Sequence, residues 1–323
     1  MKYYRLHTTD PYLNLAIEEY LFRYSDDDVF MLWQNEPTVV IGRNQNAYAE
    51  LDLGYAEENG IHIARRITGG GAVYHDLGNL NYTYISAKGV EALDFATLAE
   101  PIISALRELG LDAKLSGRND IEVLGVKISG NAQHSEGGRV LQHGTLLFDT
   151  DLSVLSRVLL PDEAKLSAKG IKSVRARVGN IKALLGAKED TEGFADLIEK
   201  YIAGKYGAVS SEVEITEEIM GLHFRNRTRE WIMPEREFLS GYSTVKKERY
   251  PFGTVSVLLD MVGERISHVK ISGDFFDRRS IKELEGALSG VSLSELEGAL
   301  SKLEVSEYIL GMTSGELAEL IKK

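Results

Sequence analysis

Apolar residues recur along the chain at two spacings, which predict an alternation of helices and strands. Leu13, Ile17 and Leu21 repeat at helical intervals behind a helix-start residue, Asp10, and therefore predict a first helix. Short runs that are rich in β-branched residues and bounded by turn residues predict strands. In the first third of the chain these strands are 29–33, 38–41, 61–66 and 81–85.

The middle of the chain predicts a three-stranded meander. Its strands, 120–124, 126–134 and 139–148, are separated by glycine turns at Gly125 and Gly137-Gly138. The predicted helices are 49–59, 94–109, 152–159, 161–168 and 191–206. Because the strands and helices alternate irregularly, the pattern favours an α+β fold with a mixed sheet over a doubly wound one.

The last quarter of the chain has its own pattern. A polar stretch near 234–244 precedes a hairpin, 253–261 and 265–272, and then a helical tail that ends in a helix over 314–323. The tail carries one seven-residue sequence twice, at 283–289 and at 295–301, which predicts two similar amphipathic helices. We therefore expect a large domain over residues 1–243 and a small α+β domain over 244–323.

Composition narrows the class of protein. A chain of 323 residues is long enough for two domains, and it has no apolar run of the ~20 residues that a membrane span requires. The first residues lack a signal-peptide pattern, so we expect a cytoplasmic protein that binds no membrane. The net charge of −12 argues against a nucleic-acid partner.

The chain contains no cysteine, which excludes disulfides, thiolate metal sites and a cysteine nucleophile. The histidines at 7, 62, 134, 223 and 268 have no partner at metal-ligand spacing, which argues against a catalytic zinc site.

The most informative segment is the glycine loop, residues 65–76, with the sequence Arg-Arg-Ile-Thr-Gly-Gly-Gly-Ala-Val-Tyr-His-Asp. Consecutive glycines allow the backbone to approach a ligand closely, and two arginines suggest an anion. The alternative is a glycine-rich hairpin turn with solvated arginines. The loop lacks the Gly-Lys-Ser/Thr of a phosphate loop, and it leads from strand to strand, which excludes the usual nucleotide motifs.

Three further segments carry candidate chemistry. Lys127 follows a turn on a strand that also bears Ser129 and Asn131, so it is either a cation aimed into a cleft or an edge-strand lysine. A lone histidine on an apolar strand, such as His143, is more often structural, and His75 is better suited to orienting groups than to moving protons. The basic stretch 169–181, bounded by Gly170 and Gly179, is either a loop that closes over phosphate or a solvated linker.

Taken in order, these segments closely resemble the lipoate–protein ligase A family. The motifs that carry the resemblance are residues 65–79, Ser-Gly-Arg-Asn-Asp at 116–120, Lys-Ile-Ser-Gly-Asn-Ala at 127–132, His-Gly-Thr-Leu-Leu at 143–147 and the basic stretch at 169–178. The match covers most of 1–240, and the tail resembles the small C-terminal domain of the long form. One departure is Gly179, where many family members have threonine.

The resemblance implies a fold of the lipoate/biotin protein ligase type and a two-step reaction. Lipoate and ATP would give lipoyl-AMP, and the lipoyl group would then pass to a lysine of a lipoyl domain in a 2-oxoacid dehydrogenase E2 subunit or of the glycine cleavage H protein. Mg²⁺ would accompany ATP, with Asp120 as the nearby carboxylate. The alternative is a non-catalytic protein that binds lipoate or adenylate. Family members that use a thioester are excluded because the chain has no cysteine.

The resemblance also assigns residues to roles. Lys127 would be catalytic, stabilising charge on phosphate and carbonyl oxygens. Lipoate would be bound by Trp33, Arg66, Gly69, Gly70, Gly71 and His143. The nucleotide would be bound by Val73, Tyr74, His75, Asn79, Asp120, Lys127, Ser173, Arg175, Arg177 and Asn180.

Overall fold

The computed structural model describes residues 1–87, 94–160, 178–234 and 242–323. The strands are β1 (Lys2–Arg5), β2 (Val29–Trp33), β3 (Thr38–Ile41), β4 (His62–Arg65), β5 (Val73–His75), β6 (Asn79–Ser86), β7 (Ala113–Ser116), β8 (Asp120–Val123), β9 (Val126–Glu136), β10 (Arg139–Leu147), β11 (Val209–Ser210), β12 (Thr244–Tyr250), β13 (Gly253–Val262) and β14 (Arg265–Gly273). The helices are α1 (Pro11–Tyr24), α2 (Ala47–Glu50), α3 (Leu53–Glu58), α4 (Phe95–Glu108), α5 (Leu152–Val158), α6 (Ile181–Leu185), α7 (Thr191–Tyr206), α8 (Glu217–Arg227), α9 (Arg229–Ile232), α10 (Ile281–Leu288), α11 (Leu296–Leu300), α12 (Val305–Tyr308) and α13 (Ser314–Lys322). Among these ranges, no helix is both long and apolar enough to cross a lipid bilayer.

A mixed eight-stranded sheet forms the centre of the large domain. Its strand order is β11-β1-β2-β6-β10-β9-β8-β7, with β1 parallel to its two neighbours and each pairing from β2 to β7 antiparallel. The predicted meander is the β8-β9-β10 part of this sheet. The prediction of an α+β fold with a mixed sheet is therefore confirmed.

Helices cover both faces of the large sheet. On one face, α4 and α7 contribute to a core in which Phe148 stacks on Phe194 with ring centroids 4.5 Å apart. On the other face, α1 packs against α8 and buries Ile17 and Phe22. The predicted start of α1 is confirmed: the Asp10 side chain accepts hydrogen bonds from the first backbone N–H groups of the helix.

A separate three-stranded sheet, β4-β3-β5, carries the glycine loop. Strand β3 pairs with β4 in parallel, Ile41 opposite Arg65, and with β5 in antiparallel, Val40 opposite Val73. The loop therefore leaves one side of β3, crosses its end and returns on the other side. The sequence predicted strands at 61–66 and 81–85 on the two sides of the loop, but it did not predict β5 between them.

Two other elements differ from the prediction. The helix expected over 49–59 is broken into α2 and α3, because Leu51 forms a β-bridge with Leu159 and Asp52 caps a new helix. The helix expected over 161–168 lies outside the described residues. The sequence analysis missed the short strands β1, β7, β11 and β12 and the helix α8.

The small C-terminal domain packs the sheet β12-β13-β14 against helices α10 to α13. The predicted hairpin is β13-β14, and the repeated sequence forms α10 and the shorter α11. The last helix, α13, begins with a capping box between Thr313 and Glu316. The domain boundary at 243/244 stays a prediction, and β12 begins at Thr244.

The residues that follow β14 lie directly on the glycine loop. The N–H of Gly70 donates to the carbonyl of Phe275 at 3.0 Å, and the N–H of Gly273 donates to the carbonyl of Asn44 at 2.8 Å. A Cβ on Gly70 would come within 2.9 Å of the Phe276 ring. The glycines thus allow the small domain to approach the loop closely.

Arg65 connects separate segments of the large domain through hydrogen bonds next to this loop. Its buried guanidinium donates to the carbonyls of residues 42, 43 and 45 at 2.8–2.9 Å. It also donates to the carbonyls of Trp231 and Ile232 at 2.7–3.1 Å. Arg65 therefore fixes both the segment under the small domain and the last helix before the predicted boundary.

Replacing Arg65 with methionine should destabilise the protein strongly. The substitution keeps an apolar stem but leaves five buried carbonyls without their donors, so we expect a loss of about 3 kcal/mol or more in the free energy of unfolding. Chemical denaturation followed by circular dichroism measures this change. The control, Arg157→Met, alters an exposed arginine on α5 and should stay within about 0.5 kcal/mol of the parent. Equal stabilities of the two variants would contradict the role of Arg65.

Candidate functional site

A cavity of about 140 Å³ opens between the glycine loop and the large sheet. Leu15, Val40 and Ala72 give it apolar walls, and Asn119, Asn131 and Thr145 add polar groups. Eight of the residues predicted from the sequence line it: Trp33, Arg66, Gly70, Gly71, Val73, His75, Lys127 and His143. Segments that are more than 100 residues apart in the chain therefore meet at one pocket.

Arg66 lies in the pocket wall, where it shapes the glycine loop. Its Nη2 donates to the carbonyls of Gly69 and Gly71 at 2.8 and 2.7 Å, and its Nη1 donates to the carbonyl of Val40 at 3.0 Å. Its Nε donates to the Thr68 hydroxyl at 2.8 Å. Burial lowers the pKa of Arg66 to about 10, so the guanidinium stays charged at neutral pH.

A buried chain of hydrogen bonds continues from Arg66 to a carboxylate that the sequence analysis missed. The Thr68 hydroxyl is 2.8 Å from His143 Nε2, and His143 Nδ1 is 2.9 Å from a carboxylate oxygen of Glu18. The Thr83 hydroxyl donates to the same carboxylate at 2.6 Å and accepts from the Trp33 indole at 2.9 Å. The sequence offered one indication of Glu18, a carboxylate among the apolar residues of the predicted first helix. These hydrogen bonds connect Trp33, His143 and Arg66 within one wall of the pocket.

Lys127 also lines the pocket and forms an ion pair with Asp120. Lys127 Nζ is 2.7 Å from Asp120 Oδ1, and both side chains are about one third exposed, at 35% and 32%. A β-bulge opposite Ile121 and Glu122 interrupts the strand alternation next to the lysine. Lys127 and Asn131 line the pocket, and Ser129, which lies outside the lining, accepts a hydrogen bond from the Asn131 side chain at 3.4 Å.

An amide network supports the wall next to Lys127. The Asn131 side chain donates to the carbonyl of Asn119 at 3.0 Å and accepts a short hydrogen bond from the Tyr82 hydroxyl. A Cβ on Gly144 would come within 2.2 Å of the Asn131 side-chain oxygen. The glycine in the His-Gly-Thr-Leu-Leu motif therefore makes room for this asparagine, which the sequence analysis did not assign to the site.

His75 lies in the pocket as a neutral imidazole. Burial, the Arg66 charge and His143 lower its pKa to about 3. Its Nδ1 is 3.0 Å from the Asn35 side-chain amide, which fixes Nδ1 as the acceptor and leaves the proton on Nε2. The ring can therefore orient a ligand but carries no charge near neutral pH.

Three predicted nucleotide residues, Tyr74, Asn79 and Asn180, lie outside the pocket lining. The Tyr74 side chain packs into the core below β3, where burial raises its pKa to about 12. Asn79 is buried and donates to Asn81, while its own side-chain oxygen has no hydrogen-bond partner among the described residues. Asn180 exchanges two hydrogen bonds with the backbone of Thr150. The predicted residues Ser173, Arg175 and Arg177 lie outside the described residues.

The basic stretch ends directly against the Lys127 strand. The Gly179 N–H donates to the carbonyl of Lys127 at 3.0 Å, and a Cβ at Gly179 would come within 2.7 Å of the Val126 side chain. Glycine at this position therefore leaves room for the side chain of the neighbouring valine.

A metal centre built from protein ligands alone is absent from the described ranges. No group of three or more histidine, aspartate and glutamate side chains converges there. A single carboxylate such as Asp120 still suits Mg²⁺, which commonly takes one or two protein carboxylates and completes its shell with phosphates and water.

Comparison with known proteins agrees with the resemblance. Residues 10–203 match the family model described as the lipoyl protein ligase A/B catalytic domain, and residues 240–321 match the bacterial lipoate protein ligase C-terminus. The chain is similar to lipoate–protein ligase LplJ of Bacillus subtilis, with 38% identity over 87% of each chain. It is equally similar to lipoate–protein ligase 1 of Staphylococcus aureus, with 38% identity over 87% of each chain.

Solved structures extend the likeness to three dimensions. The fold resembles that of P. falciparum LipL1 in complex with lipoate, with a TM-score of 0.79, 23% identity and 94% of each chain covered. It also resembles a bipartite lipoate protein ligase of Thermoplasma acidophilum, solved in work on that ligase and its E2 lipoyl domain, with a TM-score of 0.63, 34% identity and 72% and 95% coverage.

A third structure is a lipoate–protein ligase A bound with ATP, with a TM-score of 0.60, 30% identity and 72% and 99% coverage. The family models, the identities over most of the chain and the shared fold all point the same way. The chain belongs to the lipoate–protein ligase family and is a ligase.

Proposed function

We propose that this protein activates lipoate with ATP to form lipoyl-AMP and then transfers the lipoyl group to a specific lysine. The observation that carries the proposal is the composition of the pocket: one part is apolar around Trp33, and another presents the Lys127 ammonium. Such a pocket suits a ligand with an apolar end and an anionic end. Two relatives support the substrates, one bound with ATP and one studied with an E2 lipoyl domain.

Lipoate would occupy the pocket with its dithiolane ring against Trp33. Leu15 and Val40 supply further apolar contacts, and His143 closes the wall through its hydrogen bonds to Glu18 and Thr68. The carboxylate would lie near the glycine loop. There the Gly69–Gly71 backbone allows a close approach, and the buried Arg66 charge makes the potential positive.

In the first step, a carboxylate oxygen of lipoate attacks the α-phosphorus of ATP. The bond from this phosphorus to the bridging oxygen of the β-phosphate breaks, and pyrophosphate leaves. Lys127 would stabilise the negative charge on the phosphoryl oxygens. In the free protein Lys127 is held by its ion pair with Asp120. Because both side chains are partly exposed, this ion pair contributes little energy and separates readily.

The nucleotide would extend from Lys127 across β5. We propose that the backbone of Val73 to His75 contacts the adenylate, with Tyr74 holding this strand in place through its buried side chain. Asn79 and Asn180 would bind the nucleotide from the side of Thr150. Ser173, Arg175 and Arg177 would close over the phosphates. Mg²⁺, held by Asp120 and the phosphates, would neutralise part of the triphosphate charge.

In the second step, the uncharged amine of the acceptor lysine attacks the acyl carbon of lipoyl-AMP. A carbon–nitrogen bond forms, the carbon–oxygen bond to the phosphate breaks, and AMP leaves while the amine loses a proton. Lys127 would again stabilise negative charge, now on the carbonyl oxygen. The acceptors that we propose are lipoyl domains of 2-oxoacid dehydrogenase E2 subunits and the glycine cleavage H protein.

Replacing Lys127 with alanine should abolish adenylation without unfolding the protein. We expect lipoate- and ATP-dependent pyrophosphate release to fall by about a hundredfold or more, which is typical of losing one charge-stabilising donor. The thermal midpoint should change little because the lysine is partly exposed. The matched control is Lys114→Ala, an exposed lysine on β7, which should keep full activity. Near-normal release by the Lys127 variant would refute the mechanism. No lipoate-dependent release by the parent would favour a binding protein.

Replacing Trp33 with alanine should widen the range of accepted carboxylates. Trp33 is 2% exposed and lines the pocket, so removing its indole enlarges the cavity next to the substrate tail. Pyrophosphate release with a series of increasingly bulky carboxylates measures the effect, and we expect the bulkier acids to become substrates. Trp231→Ala, outside the pocket, serves as the control. An unchanged substrate range in the Trp33 variant would place the tail elsewhere.

A further inference from the structure

The hairpin between β8 and β9 ends in an unusual turn. Val123 pairs with Val126, so Leu124 and Gly125 alone form the loop, with φ angles of 52° and 79°. A loop with two positive φ angles is a type I′ turn, which favours asparagine, aspartate or glycine at its first position. Leu124 is the only non-glycine residue with positive φ in the described part of the chain.

Leu124 is also largely exposed, with 80% of its surface accessible to water. It thus combines an unfavourable backbone conformation with an apolar side chain in solvent. Neither property stabilises the isolated protein, since asparagine would be favoured both by the backbone conformation of the turn and by exposure to solvent. A residue that is unfavourable in the free protein is expected where it contacts something else.

The position of the turn suggests what that contact is. Leu124 is three residues from Lys127, so their Cα atoms lie within about 11 Å of each other. Strand β10 pairs with β9 only from Asn131 onward, although β10 itself continues to Leu147, so the first residues of β9 pair with β8 and, at Lys127, with Val178. The Leu124 turn is therefore the tip of the hairpin that carries the lysine of the pocket.

We propose that Leu124 is a docking contact for the folded acceptor domain. The inference rests on the proposed function, in which an acceptor lysine must reach the activated acyl group beside Lys127. A folded domain of about 100 residues has a radius of gyration of about 13 Å, so a domain whose lysine reaches this point also covers the neighbouring tip. Leu124 would pack on an apolar patch next to the acceptor lysine.

The test compares Leu124→Asn with Leu124→Met and with a control at a remote turn. Asparagine suits the positive φ but removes the apolar contact, whereas methionine keeps it. Val262→Asn changes an exposed valine, 71% accessible, next to the turn of the small-domain hairpin. For each protein the experiment measures the thermal midpoint, pyrophosphate release, and transfer to an unmodified lipoyl domain of an E2 subunit. Hydroxylamine, which forms a hydroxamate as AMP leaves, is the small acceptor that needs no docking.

We expect Leu124→Asn to raise the thermal midpoint and to leave pyrophosphate release and hydroxamate formation unchanged. The KM for the lipoyl domain should rise by about fivefold to tenfold, as for the loss of one buried leucine contact, with kcat retained. Leu124→Met and Val262→Asn should keep the KM of the parent. An unchanged KM in Leu124→Asn, or an equal rise for hydroxylamine, would overturn the docking role. No lipoate-dependent pyrophosphate release by the parent would instead refute the proposed function.

Discussion

Two adjacent buried arginines, Arg65 at the end of β4 and Arg66 directly after it, set the geometry on which the pocket depends. Successive residues of a strand point to opposite sides, so Arg65 and Arg66 serve different parts of the molecule. Arg65 donates hydrogen bonds to carbonyls within residues 42–45 and 231–232, and Arg66 donates to carbonyls of the glycine loop. Each one satisfies backbone groups that would otherwise be buried without partners.

This arrangement explains how the glycine loop can be held in one conformation and still form part of a substrate pocket. The glycines let the backbone lie close to Phe276 of the small domain, and Arg66 holds two of the loop's carbonyls turned inward. The pocket wall therefore carries a buried positive charge. The nearest buried carboxylate, Glu18, acts through His143 and Thr68 and does not enter the loop. A substrate carboxylate would be attracted to this wall, and the partly exposed Lys127 would complete the positive environment.

The sequence predicted the elements with strong local signals: the capped start of α1, the meander β8-β9-β10 and the hairpin β13-β14. It also placed Trp33, Arg66, His75 and Lys127 in one site, because ordered motifs carried the resemblance. It could not show that β5 pairs with β3, since a three-residue strand has almost no periodicity. The contacts of Phe275 and Phe276 with the glycine loop join residues about 200 positions apart, which no local pattern encodes. The bulge beside Lys127 likewise depends on its partner strand, so the sequence could not show it.

The central claim is that this pocket uses ATP to join lipoate to a protein lysine. The most direct test is the intact mass of an unmodified lipoyl domain after incubation with the purified protein, lipoate, ATP and Mg²⁺. The account predicts a mass increase of one lipoyl group, located on a single lysine and absent when either ATP or lipoate is omitted. An unmodified lipoyl domain and an unmodified H protein after complete incubation would contradict it.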